Sequence, residues 1–447
     1  MASINQKANI ARPSPKTHEG ATASRINTTQ ELRRSVMACM LWENEFYEDG
    51  VSIANRISAL IPTVPAEKVA EMAIEAREKM KLRHVPLLIV KEMAAVPTHK
   101  HLVASTLERI IQRADELTEF LAMYQIGRTG KKKLNKLSKQ VQKGLAKAFT
   151  KFDEYQLAKY NRDTEIKLRD VLFLSHAKPK DEAQAALWKR LIAGELKTPD
   201  TWEVEISASK DKKASWERLL VENKLGALAL LRNLRNMQDA KVTERLVFSA
   251  MESMDTRRVL PFRFIASAKY APQWESQLEA AMFKCLAEVP KLHGKTALLV
   301  DHSGSMEGKL SEKSEMTRFD AAAAIGMILR EICDDVAVFT FSDNCIRVPS
   351  RRGFAMREAI MSRINPVGTL LGKAVNFVYE KYPECERLIV ITDEQSHDTP
   401  GNQHGKGYVI NVGSAKNGIG YGAWKHIDGF SEHVIDYIKE VETTDGV

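Results

Sequence analysis

Nowhere in the 447 residues is there an apolar run near the roughly 18 residues that a membrane-crossing helix needs. The opening stretch, MASINQKANIARPSPKTHEG, is polar, carries two prolines, and has no apolar segment of the kind a secretory leader requires. Neither export nor membrane spanning is supported, which predicts a cytoplasmic protein. Cysteine is also scarce. Cys39, Cys285, Cys333, Cys345 and Cys385 are odd in number, scattered, and never paired as C-x-x-C. That pattern fits neither a disulfide framework nor a thiolate zinc site, so reduced thiols are expected. Several signatures of catalysis are missing too: no G-x-S-x-G, no Walker loop, no H-E-x-x-H, and no G-x-G-x-x-G after a strand.

What remains is the composition of a folded protein, 44% apolar and 28% charged, at a length that calls for more than one core. The net charge of +8 is unevenly divided. From Gly294 onward there are 17 basic and 22 acidic residues, a balance of −5, which leaves +13 for the preceding part. A basic excess suits a polyanion, whereas an acidic unit with hydroxyls at strand ends suits a hard cation.

Periodicity changes at the same place. From about Thr28 to Leu292 helical spacing dominates, as in ELRRSVMACMLWENEFYE, AEKVAEMAIEAREKMK, LVASTLERIIQRADELTEFLAMY, KLGALALLRNLRNM and KVTERLVFSAMESM. Joints such as PTVPAEK, HAKPKDE and LKTPDTW separate the helices. Helix pairs in such density predict a solenoid of stacked antiparallel pairs, although no fixed-period repeat is visible. After KLHGK, short buried-looking strands (296–301, 336–343, 387–394, 407–413) alternate with helices (318–333, 370–382, 431–442). That alternation predicts a mainly parallel sheet covered on both faces, with binding residues at the carboxyl ends of its strands.

The first of those strands ends in LLVDHSGSM, which places Asp301, Ser303 and Ser305 in the turn that follows. Alternate residues of an extended turn face one way, so one carboxylate and two hydroxyls converge. Three oxygens are too few for a hard divalent cation, and others must come from elsewhere. A later strand ends at Thr392-Asp393, and NPVGTLLGKAV, between the two, opens a helix with a Gly-Thr turn. Asp301, Ser303, Ser305, Thr369 and Asp393, in this order and placement, match the metal-ion-dependent adhesion site of von Willebrand factor A domains, which this half resembles. The resemblance implies a doubly wound, Rossmann-like α/β domain holding magnesium, with manganese as the alternative, and an acidic group of a partner completing the shell. Glu394, next to Asp393, either adds an oxygen or caps the turn. An aspartyl-phosphate phosphatase would want a second acid where Ser303 stands.

The basic part has its own pattern. No acid occurs between Glu119 and Asp153, whereas lysines accumulate. If residues 132–152 are helical, Lys132, Lys136, Lys139, Lys143, Lys147 and Lys151 fall on one face, opposite Leu134, Leu137, Val141, Leu145, Ala148, Phe149 and Phe152. Such a rail neutralises phosphates without reading sequence. Few aromatics lie nearby apart from Tyr155 and Tyr160.

KLRDVLFLSHAKP, then TPDTWEVEIS, WERLLVENKLGALALLRNLRNM and VLPFRFIASAKYAPQWE, followed by the A-type half, is the succession of motifs found in the Ro autoantigen family. The chain resembles that family, in its bacterial or phage forms, over about residues 25–447. The resemblance implies a polar tail over 1–24, expected to be disordered, a TROVE module over 25–293 whose HEAT-type helical repeats form a ring, and an A-type domain over 294–447 joining its ends. It further implies a monomeric, non-catalytic RNA-binding scaffold. Single-stranded 3′ ends of misfolded noncoding RNAs would enter a basic hole, Y-RNA-like small RNAs would bind outside, and polynucleotide phosphorylase or another exoribonuclease would be a partner. His176 and Lys159 fall on hole-lining positions of the family, and Arg162 lies within one position of a family arginine. Arg169 and Lys178 flank them as further hole candidates, and the lysine rail is placed on the outer face. Phe173 stands where relatives often carry arginine. A protein-binding adaptor working through the A-type domain, and a metal-dependent hydrolase, are the competing readings.

Overall fold

The computed structural model describes residues 24–25, 27–37, 50–126, 134–256, 259, 261–287, 289–310, 316–361, 368–413 and 419–428, with Val434, Ile438, Lys439 and Glu442 beyond. Residues 1–23 of the expected tail over 1–24, Lys132 and most of the expected helix 431–442 lie outside the described residues, while Ser24, which closes that tail, is in a two-residue strand and not disordered.

The described residues from Thr28 to Ala287 form helices joined by short turns. Many of these helices pack on a neighbour, on the next but one, or on both. Ala66–Glu78 meets His84–Met93 and Val103–Ile110, and the latter meets Lys139–Phe149, which in turn meets Leu168–Ser175. The same staggering recurs where Lys212–Val221 meets Glu244–Ser253 and Ala227–Asp239 meets Phe262–Tyr270. This is the stacking of antiparallel pairs that a solenoid requires. One crossing is especially close. A Cβ on Gly144 would lie 3.0 Å from the Ala104 carbonyl oxygen and from Leu107 Cβ, so glycine lets Lys139–Phe149 sit directly on Val103–Ile110.

Two cores result. One runs from Leu32 to Leu191. The other begins at Trp216 and continues without a break onto one face of the sheet. The joint at Ile111–Arg113 divides what the sequence presents as one long helical stretch. Fully buried Glu116 accepts the backbone N–H groups of Gln112 (2.8 Å) and Arg113 (3.1 Å), and Arg77 holds its other oxygen at 2.6 Å. Burial pushes this carboxyl upward against the pull of Arg77.

The C-terminal unit is a six-stranded sheet: β1 (Leu292–Asp301), β2 (Cys333–Phe341), β3 (Cys345–Arg347), β4 (Arg387–Thr392), β5 (Lys406–Asn411) and β6 (Lys425–Asp428), in the order β3-β2-β1-β4-β5-β6. Every neighbouring pair is parallel except β2 with edge strand β3. The apolar runs ALLV and LIVI take the centre because both their faces are covered. Leu298, Val300, Ile389 and Ile391 pack toward helix Arg318–Ile332, and Ala297, Leu299, Leu388 and Val390 toward helix Leu371–Lys381. β3, β6 and the helix Gly353–Met361 were not anticipated, since strands of three and four residues show no alternation.

The helical part meets this unit at both its ends. At its C-terminal end Lys269 pairs with Asp320 at 2.8 Å, and Glu279 accepts the N–H of Phe354 at 2.8 Å. At its N-terminal end Ser24–Arg25 form an antiparallel ladder with Ile419–Gly420, and Arg34 pairs with Glu394.

Below the sheet, buried Arg387 grips Glu442 through two bonds of 2.6 and 2.5 Å, joined by Lys406 at 2.8 Å and Tyr408 at 3.2 Å. These partners outweigh desolvation and hold the Glu442 carboxyl down to about 2. A depressed carboxyl stabilises the fold above its unfolded pKa near 4.5 and loses that contribution as pH falls toward 2. Glu442→Gln should therefore lower unfolding stability at pH 7 by up to about 3 kcal/mol, and the gap from the parent should close between pH 4.5 and 2 in denaturant titrations. A gap that persists at pH 2 would contradict this role.

Candidate metal centre and nucleic-acid interface

Strand order reverses between β1 and β4, and the crevice outside the carboxyl ends of such strands is where doubly wound sheets bind ligands. Asp301 closes β1 and is fully buried. Its oxygens accept the Ser303 N–H at 2.8 Å and the Thr392 hydroxyl at 2.5 Å. Ser303 Oγ lies 3.2 Å from Ser305 Oγ, so the two hydroxyls do converge as the D-x-S-x-S spacing requires. Asp393 is equally buried, beyond the end of β4, and accepts the Gln395 N–H at 3.4 Å. Thr369 is carried to the same corner. Its carbonyl accepts from Ser396 Oγ (3.1 Å) and His397 N (3.0 Å), and the next residue, Leu370, donates to the Ser342 carbonyl beyond β2 at 2.9 Å. Asp398 then caps the following helix through Gly372 and Lys373.

Electrostatically this corner is under tension. Burial, with the charge of Asp393 added, pushes the Asp301 carboxyl up to about 7. Arg318, itself buried, stands 3.6 Å from Asp393 and donates to the Ser305 carbonyl at 3.3 Å. No spacing rule pointed to this arginine. Among the described residues no group of three or more His, Cys, Asp or Glu side chains could hold a metal ion, so a cation here would depend on the hydroxyls.

Glu394 does neither of the two things expected of it. It adopts a left-handed backbone at φ 66° and turns its fully buried carboxylate to Arg34, His426 and Asn411, the last at 3.0 Å. Its carbonyl accepts from Tyr421 at 2.9 Å. The residue after the candidate metal ligand is thus the anchor of the N-terminal helix.

The basic segment also needs correction. The helix expected over 132–152 spans only Lys139–Phe149, and Leu134–Ser138 lie in an extended approach. The approach is held by Gln125, which donates to the Asn135 carbonyl at 2.9 Å and accepts the Asn135 N–H at 3.1 Å, so that the backbone of Asn135 is taken up outside the helix. The apolar face is as expected, with Val141, Leu145, Ala148 and Phe149 buried. Its lysines are not one uniform rail. Lys136, Lys139 and Lys143 are exposed, and Lys139 lines a cavity of about 510 Å³ with Lys100, Tyr124 and Ser138. Lys147 pairs with Glu108 at 3.0 Å. Lys151 is consumed in bonding the Glu108 and Ile111 carbonyls, and burial lowers its pKa.

Of the second basic group, Lys159 is in the last turn of the helix Glu154–Tyr160 and lies 3.6 Å from Glu203. Arg162 and Lys178 sit exposed in the connections on either side of helix Leu168–Ser175, and Arg169 is exposed on it. His176 caps that helix in a left-handed conformation, φ 50°, and is exposed. That helix packs on Lys139–Phe149, so the two basic groups share one scaffold.

The TROVE domain model matches residues 16–193 and 180–327. This chain belongs to the TROVE domain family. The two matched segments divide close to where the two hydrophobic cores divide, and the Ro resemblance carried by the motifs is upheld. Among solved structures, the crystal structure of the Deinococcus radiodurans Ro (RSR) protein is similar with a TM-score of 0.62 at 16% identity, covering 90% of this TROVE chain and 96% of that one. At that identity the likeness shows the fold. The chain is also similar to telomerase protein component 1 of Mus musculus (24% identical over 314 residues) and of Rattus norvegicus (23% over 316 residues). Each match takes in 51% of this chain but only 12% of the relative's length.

The buried pair at the junction makes a direct prediction. Arg34→Met should leave Glu394 short of a charge partner and cost about 3–5 kcal/mol, whereas Arg34→Met with Glu394→Gln should recover part of that loss in thermal unfolding. Strict additivity of the two substitutions would contradict the contact.

Proposed function

We propose that this TROVE chain is a non-catalytic RNA-binding scaffold of RNA quality control. It holds Y-RNA-like small RNAs on its outer surface and the single-stranded 3′ ends of misfolded noncoding RNAs in a central basic hole. The observation that carries this reading is the pair of junctions: the helical stack is tied to the α/β unit by Lys269–Asp320 and Glu279 at one end and by Arg34–Glu394 at the other. A stack fastened at both ends to one unit favours a monomeric closed ring. A ring selects for an RNA with a free unpaired terminus, since a closed loop or stable duplex cannot thread it. Exposed Arg162, Arg169, His176 and Lys178, with Lys159, would line the hole, and Lys136, Lys139, Lys143 and Lys147 would serve the outer face.

The α/β unit is read as a von Willebrand factor A domain. Asp301, Ser303, Ser305, Thr369 and Asp393 are hard oxygen donors, two acids and three hydroxyls at one corner, and they fit magnesium or, as the alternative, manganese. Bound there, the cation would offer a coordination position to an acidic group of a partner. Asp301 and Asp393 supply the charge, the Thr392 hydroxyl orients Asp301, and Arg318 offsets part of the charge of Asp393. This corner also supports the second reading, a metal-dependent protein-binding adaptor. The nuclease residues that the sequence lacks would come from an exoribonuclease such as polynucleotide phosphorylase, in the cytoplasm. No helix among the described residues is long and apolar enough to cross a membrane.

The test compares a structured RNA with and without a single-stranded 3′ tail, at low and moderate salt. The tail should strengthen binding, the affinity should fall steeply with salt, and Lys159→Ala with His176→Ala should remove roughly a ten- to hundredfold advantage. Equal binding of both RNAs, unaffected by the substitutions, would leave only a nonspecific basic surface and favour the adaptor.

A further inference from the structure

Phe173 is 56% exposed, although the other apolar residues of its helix are turned inward. In Leu168–Ser175 the residues Leu168, Val171 and Leu172 are buried in the helical core. Positions 169 and 173 are one turn apart, which puts them on the opposite, outward side, and His176 follows as the left-handed cap. Arg169, Phe173 and His176 are all exposed there, and Lys178 follows two residues later, also exposed. Arg169 and Lys178 form no salt bridge among the described residues. The helix therefore presents an aromatic face between cations, an arrangement with no role in packing.

One class of ligand matches such a surface. A folded protein partner burying Phe173 would have to desolvate the flanking cations, which costs more than one ring returns. A polyanion without flat apolar groups would use the cations and leave the ring in water. Single-stranded nucleic acid offers both, phosphates at regular intervals and unpaired bases with π-faces. We infer that Phe173 is a base-stacking platform, on which an unpaired nucleobase of the bound RNA lies flat while Arg169 and His176 engage the adjoining phosphates. The inference rests on the RNA-binding reading and adds to it a contact with bases where the hole was otherwise read as electrostatic. Stacking accepts any base, so the ring would add affinity without sequence preference.

The experiment uses the full chain with a 3′-tailed RNA, the same RNA with an abasic tail, and inorganic polyphosphate. Phe173→Ala, Phe173→Leu and Phe173→Trp are compared with the parent, with circular dichroism to confirm that each variant is folded. The parent should bind the intact tail more tightly than the abasic one. Phe173→Ala and Phe173→Leu should lose roughly five- to a hundredfold on the intact tail and little on the abasic tail or polyphosphate. Phe173→Trp should restore affinity and show fluorescence quenching, beyond that of the parent, with the intact tail only. Equal binding of intact and abasic tails by the parent, unchanged in Phe173→Ala, would overturn stacking and leave RNA binding standing. Absence of any tail-dependent binding by the parent would overturn both readings.

Discussion

A carboxylate with no exposure to water must be paired, and Glu394 finds its partners on elements that are far apart in sequence. Arg34 comes from the first helix, His426 from the last strand of the sheet, and Asn411 from β5. A single buried charge therefore fastens the beginning of the helical stack to the end of the α/β unit. The opposite junction, through Asp320 and Glu279, uses charges as well. It also shares a continuous apolar core with the sheet. The Arg34–Glu394 side combines its buried charge pair with the short backbone ladder between Ser24–Arg25 and Ile419–Gly420.

That pair borders the candidate metal corner. Glu394 follows Asp393 directly, and its left-handed backbone turns the chain so that one carboxylate faces the corner and the next faces the first helix. Arg318, Thr392 and the two serines hold the first of these environments, and Arg34 and His426 hold the second. A peptide unit is all that separates the two carboxylates.

Much of this was legible in the sequence. The central strands announce themselves as unbroken apolar runs, and the D-x-S-x-S spacing announces the convergence of the Ser303 and Ser305 hydroxyls at the end of β1. The basic segment was legible only in part. Helical spacing carried the pattern back to Lys132, but spacing cannot show that Gln125 claims the backbone of Asn135 or that Lys151 is spent on helix-end carbonyls. For Glu394 the sequence offers only an added oxygen or a turn cap, because pairing across 360 positions leaves no periodic trace. Phe173 stood out as a departure from relatives, and its exposure gives that departure a physical meaning. Long-range charge pairs and surface aromatics are decided by tertiary geometry, and there the sequence pattern is silent.

Threading of a free end is the central claim, and topology tests it most directly. A single-stranded RNA would be measured for binding in its linear form and after its own ends are ligated into a circle, with base content and charge unchanged. Tight binding of the linear form and much weaker binding of the circle is the result predicted. Equal affinity for both would contradict threading and place the RNA on an open surface.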